Sequence, residues 1–550
     1  MNKAAVALLQ KHFDLALDAP NGIKKLRELI LTLAMQGKLV PQDPKDQPAS
    51  ELLEEIEAEK RRLVKEGKIK APKPLTEIKP EEVPYAVPAG WEWVRLGKIT
   101  INRDSERIPV SKDERQSMQG EYDYYGASGV IDKVSKYLFD KSLLLIGEDG
   151  ANLLSHSTPI AFIAKGKYWV NNHAHVIDAT KSELLVYLEN YFAAITLEKY
   201  VTGTAQPKMN QEKMNSIPIS LPPLAEQKRI VAKVDQLMAR CDALEELRDR
   251  RQQMRLDIHS AAIHQILDPS PAFSLGSAPR FSVKSILFSR FNELYGVKEN
   301  VAELRKAILQ LAVMGRLVPQ DPKDQPASEL LKEIEAEKKR LVKEGKIKVP
   351  KTLPEIKPED VPYALPAGWE WVRLGELIEL ISGQHLSPNE YNESRNGFSY
   401  YTGPADFGER FPIPARWTTV DRSIAIKGDV LLTVKGAGVG KTNVLNEPMA
   451  AISRQLMALR VIGISDDFLL RYLATKFKEL QALATGIAIP GIGRDDVLFQ
   501  WFPLPPLAEQ NRIVAKIDQL MALCDSLEQG IDAATKKQTQ VLQSIIAGVA

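Results

Sequence analysis

Cysteine is nearly missing from this chain. Cys241 and Cys524 are the only two in 550 residues. Far apart in sequence, they argue against a disulfide framework or a cysteine-built zinc site. Long apolar runs are missing as well, and none approaches the ~20 residues of a membrane-spanning helix. The opening stretch "MNKAAVALLQKHFDLALDAP" reads as an amphipathic helix. It lacks the basic region, apolar core and small-residue cleavage site of a signal peptide. A cytoplasmic chain with no membrane partner is the expectation. An excess of one charge is also lacking: the net charge is +2. A protein gripping nucleic acid alone is usually more basic. The spans Trp91–Pro222 and Trp369–Pro505 are each close to neutral, so any nucleic-acid reading must rest on local pattern or on a partner that supplies positive charge.

Recognisable catalytic chemistry is sparse. "KGAGVGKT" at Lys435–Thr442 fails as a phosphate loop, because Lys435 stands where that motif needs glycine. A glycine turn that brings backbone amides and lysines near a polyanion fits the stretch better. "WVNNHAHVI" at Trp169–Ile177 places His173 and His175 two apart, on one face of a strand. No carboxylate or cysteine cluster accompanies them, so a packed, hydrogen-bonded pair is expected rather than a metal site. The Asp/Asn-Pro-Pro-aromatic element of adenine methyltransferases is missing, as is a glycine-rich dinucleotide fingerprint.

What is present is a repeat. Leu39–Gly97 aligns without gaps to Leu317–Gly375, with 52 identities in 59 positions. Leu221–Glu245 aligns to Leu504–Glu528 with 21 in 25. Between these blocks the likeness nearly vanishes. Only landmarks survive, such as Tyr124-Tyr125 against Tyr400-Tyr401, and Thr202-Gly203 with Pro207 against Thr485-Gly486 with Pro490. A frame is duplicated while its filling differs. Two equivalent docking surfaces for one kind of partner, and two unlike modules for two unlike targets, would account for this. An uneven drift after tandem duplication is the alternative.

Local pattern gives the elements. Asn21–Gln36 and Val301–Met314 read as amphipathic helices stopped by Gly37 and Gly315. "PQDPKDQPAS" follows each, and Ser50 and Ser328 look like N-caps of the charged helices behind them. Those helices carry Glu early and Lys late, and a solvated face is the simpler reading of them. Each variable module mixes short β runs ("SLLLIG", "IAFIA", "DVLLTV", "QLMALRVI") with one helical stretch, "KSELLVYLENYFAAITLEK" or "SDDFLLRYLATKFKELQAL". After "LPPL" come Ile230, Val234, Leu237, Cys241 and Leu244, then Ile513, Ile517, Leu520, Cys524, Leu527 and Ile531, spaced as a coiled-coil seam. Arg248 and Arg251 interrupt the first seam. Each helix should run roughly 40 residues, about 60 Å. "DPSPAFSLGSAPR" at Asp268–Arg280 ends the first and opens the second half.

The resulting fold class is α/β plus all-α. Two α/β modules are held apart by an antiparallel pair of long helices, in a pseudo-twofold repeat. The divisions are 1–90, a helical region and proline-rich arm; 91–222, the first module; 223–267, the first long helix; 268–368, a linker and the repeated helical region with its arm; 369–505, the second module; and 506–550, the second long helix.

Two copies of "LPPLAEQ.RIVAK.DQLMA.CD.LE", each preceded by a TG…P segment and an unlike module, resemble the specificity (S) subunits of type I restriction-modification systems. "YYGASGV", "WVNNHAHVI" and "TGTAQPKMNQEKM" resemble elements of that family's target-recognition domains; "TGIAIPGIGRDDV" departs after Pro490. The resemblance implies that each module reads one half of a split site in double-stranded DNA, with the helices setting the gap. It implies docking of two methyltransferase (M) subunits that bind S-adenosylmethionine and methylate adenine N6, with restriction (R) subunits joining in the full complex. The chain itself would bind no cofactor and catalyse nothing. A coiled-coil adaptor for two identical proteins, without DNA readout, and an enzyme acting alone on nucleic acid are the competing readings.

Base readout favours Arg, Lys, Asn and Gln. The candidate DNA-binding residues are Arg103, Arg107, Lys112, Tyr124, Ser128, Lys208 and Asn210 in the first module. In the second they are Gln384, Tyr400, Lys435, Lys441, Arg454 and Arg494. For each, an ordinary structural or solvated role is the competing explanation. The substitution Lys208→Ala is expected to weaken binding to the first half-site; affinity unchanged across a salt series would remove Lys208 from the set.

Overall fold

The computed structural model describes residues 13–548 apart from 204–205, 269–288, 358, 360 and 487–489. Most of the opening helix and of the 268–280 connection therefore lie outside the described residues. The chain divides into two compact units. One comprises residues 1–250 together with 535–550, and the other Arg251–Ala534.

In the first unit, helix α1 (Gly22–Met35) stops where the sequence suggests. Gly37 takes φ 68°, and a Cβ there would meet Pro88 Cγ at 2.4 Å, so the stop needs glycine twice over. Helix α2 (Ala49–Lys65) begins before Ser50, with Pro48 at the cap position. The reason lies outside the local sequence. The Ala49 amide donates to the Gly90 carbonyl at the far end of the proline-rich arm, so Ser50 has no cap to make. Ser328 is displaced in the same way, with Ala327 donating to Gly368.

The charged helix α2 is not solvated all round. Leu52, Ile56 and Lys60, four apart on one face, are buried. The Lys60 ammonium donates to the carbonyls of Gly97, Lys98 and Thr100 at 2.9, 3.0 and 2.8 Å. It thereby closes the end of the one-turn helix Leu96–Ile99. Lys338, its repeat twin, donates to the carbonyls of Gly375 and Glu376 at 2.7 and 3.0 Å. Burial lowers both lysines to about 8.

The duplicated "LPPLAEQ" forms a latch. Helix α4 (Leu224–Leu267) starts directly after its prolines. Buried Glu226 accepts from the Trp91 indole at 3.0 Å and from Gln42 at 3.1 Å. Gln227 donates to the Pro222 carbonyl, and Arg229 pairs with Asp46. In the second unit Glu509 accepts from Trp369 and Gln320 at the same 3.0 and 3.1 Å, and Arg512 pairs with Asp324. Helix α8 (Leu507–Ala547) starts there. The long helices have 44 and 41 residues, against the roughly 40 expected.

The seam residues are buried in their own units. Ile230, Val234 and Cys241 join the core of Ile23, Ile30 and Trp91, and Arg27 of α1 pairs with Asp242 and Glu245 of α4. Ile513, Ile517 and Cys524 do the same beside helix α5 (Lys298–Val313), where Arg305 pairs with Asp525 and Glu528.

Between frame and long helix each unit carries a ten-stranded module. The first holds β1 (Glu92–Arg95), β2 (Ile101–Asn102), β3 (Gln119–Gly126), β4 (Gly129–Val134), β5 (Phe139–Asp140), β6 (Leu143–Gly147), β7 (Ala161–Ala164), β8 (Lys167–Val170), β9 (Ala174–Asp178) and β10 (Pro218–Leu221). The second holds β11 (Glu370–Arg373), β12 (Ile378–Ser382), β13 (Phe398–Tyr401), β14 (Trp417–Thr418), β15 (Ile424–Ile426), β16 (Val430–Thr433), β17 (Thr442–Val444), β18 (Met449–Ile452), β19 (Leu456–Val461) and β20 (Trp501–Leu504). The sheets run β2-β9-β6-β7, β4-β3-β8-β5 and β1-β10 in one module, and β12-β19-β16-β17, β14-β13-β18-β15 and β11-β20 in the other. Strand for strand the order is the same, although the sequences have almost nothing in common.

The lysine pair yields a pH prediction. Between pH 8 and about 10 the folded chain has released protons from Lys60 and Lys338 that the unfolded chain still holds, so stability rises with pH from this source. Denaturant midpoints should therefore climb in the wild type relative to the double variant Lys60→Met/Lys338→Met over that range. Parallel curves would show that the lysines do not carry the effect.

Candidate nucleic-acid interface

In each module one end of a four-stranded sheet gathers polar loops, and main-chain hydrogen bonds make the two ends equivalent. Glu148 donates its amide to the His173 carbonyl at 2.8 Å, as Val434 does to Gln455. Gly150 donates to Pro207 as Gly436 does to Pro490. Met209 donates to Glu148 as Ile492 does to Val434. Isolated bridges join Asp149 to Lys208 and Thr202 to Lys208, matched by Lys435 to Gly491 and Thr485 to Gly491. The surviving TG…P landmark is thus the loop that closes this rim. It is kept for backbone geometry: Gly203 sits at φ 86°, and Gly486 at φ 118°.

The backbone matches and the charge does not. Asp149 of the first rim corresponds to Lys435 of the second, Asp104 to Ser382, Glu148 to Val434, and Asn172 to Arg454. At the second rim Lys435, Lys441 and Arg454 are exposed, and none forms an ion pair with a described residue. Arg494 is exposed and donates to Ser382 Oγ at 2.8 Å. Gln384 is exposed, its amide bonded to the Ile452 carbonyl. Five of the six candidates in this module therefore stand at one sheet end. "KGAGVGKT" makes the turn between β16 and β17, with a strand and not a helix behind it. Tyr400 is buried, its hydroxyl accepting from the Leu386 amide, which gives it a packing role.

The first rim is neutralised from within. Arg107, only 12% exposed, pairs with Glu148 at 2.8 Å and donates to the Ala174 carbonyl at 2.6 Å. Arg103 pairs with Asp178 and Glu106. Lys208 pairs with Glu148 at 3.2 Å but stays half exposed. Asn210 caps the short helix Gln211–Asn215 by accepting from the Lys213 amide. Ser128 lies exposed in the β3–β4 turn. Lys112 is exposed at the start of the helix Lys112–Ser117. Tyr124 is buried, bonded to Val110 and covered by Arg115.

Both histidines are hydrogen-bonded as the sequence suggests, although only one is buried. His173, half exposed, meets Asp149 at 2.8 Å. His175 is buried between Asp104 Oδ2 at 2.7 Å and the Met209 carbonyl at 2.8 Å. Burial pushes the Asp104 carboxyl up, but bonds from His175 and Asn102 and the charge of Arg107 hold it below its ordinary value. Among the described residues no three His, Cys, Asp or Glu side chains are grouped to hold a metal ion.

A type I restriction modification DNA specificity domain matches twice, over residues 88–253 and 366–537. The chain belongs to that family. Each match takes in one module and the start of its long helix, which is the repeat found above. The EcoAI specificity subunit of Escherichia coli is 34% identical, over 94% of this chain and 92% of that one. The EcoEI specificity subunit of the same organism is 34% identical, over 95% and 93%. The HsdS subunit of Thermoanaerobacter tengcongensis is 24% identical, over 85% of this chain and 98% of that one, with a TM-score of 0.41.

Gln455, Asp104, Glu148 and Asp149 were not among the sequence candidates. Their place on the rims follows only from hydrogen-bond equivalence, which no residue-by-residue likeness between the modules announces. The substitution Arg107→Ala should cost the first unit roughly 2–4 kcal/mol, since it leaves Glu148 with only the half-exposed Lys208 as a pairing cation and removes the donor to a buried carbonyl. Thermal unfolding of the free chain checks this; a shift within the range of a surface substitution would assign Arg107 a solvated role.

Proposed function

We propose that this family member is the DNA-reading subunit of a type I restriction-modification complex, each module meeting one half of an asymmetric, two-part site. The observation that carries it is the pair of sheet ends with one backbone and two different charge patterns. A shared scaffold with exchangeable polar rims suits recognition of two unlike sequences. Lys435, Lys441 and Arg454, exposed and forming no ion pair with a described residue, suit phosphate contacts. The duplicated frames suit two copies of one methyltransferase subunit, which would bind S-adenosylmethionine and transfer methyl to adenine N6, with restriction subunits completing a cytoplasmic assembly. The chain would then contribute no catalysis of its own. Near-neutral modules fit a duplex that is enclosed jointly with those partners. Family membership disfavours a protein-only adaptor.

Purified alone, the chain should transfer no methyl group; with methyltransferase subunits it should direct methylation to one bipartite sequence. Exchange of Trp369–Pro505 should change only one half of that sequence. In the assembly, Lys435→Ala and Arg454→Ala should each lower the slope of log affinity against log salt by about 1. Unaltered slopes would remove the second rim from the DNA interface.

A further inference from the structure

His175 joins two parts of the first rim. Its Nδ1 meets Asp104 on the turn after β2, and its Nε2 meets the Met209 carbonyl in the loop that carries Lys208 and Asn210. A carbonyl oxygen holds no proton, so Nε2 must donate. Asp104 also accepts from the Val176 amide at 2.8 Å and lies 3.5 Å from Arg107, which favours its ionised form. Nδ1 then donates too, and a ring that donates from both nitrogens is an imidazolium.

We propose that His175 is a positioning residue for DNA reading by the first module: as a buried double donor it clamps the Lys208–Asn210 loop to the Asp104 turn. This rests on the rim being the DNA-facing edge. The charged groups around the ring are Asp104 and Arg107 from the turn, Glu148 at 3.8 Å from the end of β6, and Lys208, which reaches Glu148 from the loop. Loss of the ring proton removes one of the two clamps. Either a bare nitrogen is left facing the Asp104 carboxylate, or the Met209 carbonyl loses its donor. The second module has no such clamp, because its equivalent of His175 is the buried Met457 and its equivalent of Asp104 is Ser382. The two half-sites should therefore respond differently to pH.

The test uses the full chain assembled with its methyltransferase subunits, and duplexes in which either half-site is scrambled. From about pH 6 to 9, discrimination of the first half-site should fall roughly tenfold, the equivalent of one unit of protonation-linked free energy. Discrimination of the second should stay level. In His175→Gln, which can satisfy only one acceptor, first-half discrimination should be weak and level with pH. Ring-labelled histidine in the free wild-type chain supplies a readout that needs no variant: one slowly exchanging ring should be protonated on both nitrogens at the lower pH. A neutral buried ring, or a level wild-type profile at the first half-site, overturns the clamp. Failure to discriminate either half-site at any pH would instead overturn the DNA reading itself.

Discussion

A buried carboxylate at the mouth of each long helix is the constraint on which the architecture depends. Glu226 and Glu509 are withdrawn from water, and a buried carboxylate is costly unless its oxygens are met. Trp91 and Gln42 meet one, and Trp369 and Gln320 the other. Each acceptor thus fixes, at one point, the arm that leads into a module and the helix that leads away. Burial pushes the Glu509 carboxyl upward, so the tryptophan and glutamine bonds there work against a real desolvation cost. With entry and exit held together, everything between them is free to change sequence provided its first and last strands pair. Strands β1 and β10, and β11 and β20, do so.

This arrangement separates two kinds of selection. The latch, the buried lysine and the glycine stop serve geometry, and they recur with nearly identical distances in both units. The rims differ instead. At matching backbone positions one presents Asp104, Glu148 and Asp149, and the other Ser382, Val434 and Lys435. The first spends its arginines on internal pairs, while the second leaves its cations facing solvent. One rim with its charges paired and one with exposed cations, on a single scaffold, suit a reader of two unlike sequences.

Much of the frame was legible because its causes are local. Apolar spacing located α1, α5 and the long helices, and "SLLLIG" and "QLMALRVI" became β6 and β19. What escaped was set by distant partners. Ser50 looks like a cap until the Gly90 carbonyl takes the Ala49 amide from across the arm. Lys60 looks solvated until its ammonium is found among three carbonyls. The charged helix "SDDFLLRYLATKFKELQAL" breaks at Lys476, which spacing alone did not show. Tyr124 and Tyr400 were attractive as paired landmarks, but the landmark is a packing site, with each hydroxyl satisfied by the backbone of a neighbouring loop, at Val110 and Leu386. The exchange of Asp149 for Lys435 was invisible, since nothing in the intervening sequence aligns them.

The first unit takes its last stretch of helix from residues 535–547, and Ile545 is buried there. Phe13, Leu17, Leu26, Leu542 and Ile546 line one small apolar cavity. A ribosome that has finished the first recognition module has therefore not finished the body that holds it. That body waits, with an apolar groove open, while nearly three hundred further residues are added. The order of synthesis and the order of completion run in opposite directions: the half begun first closes last.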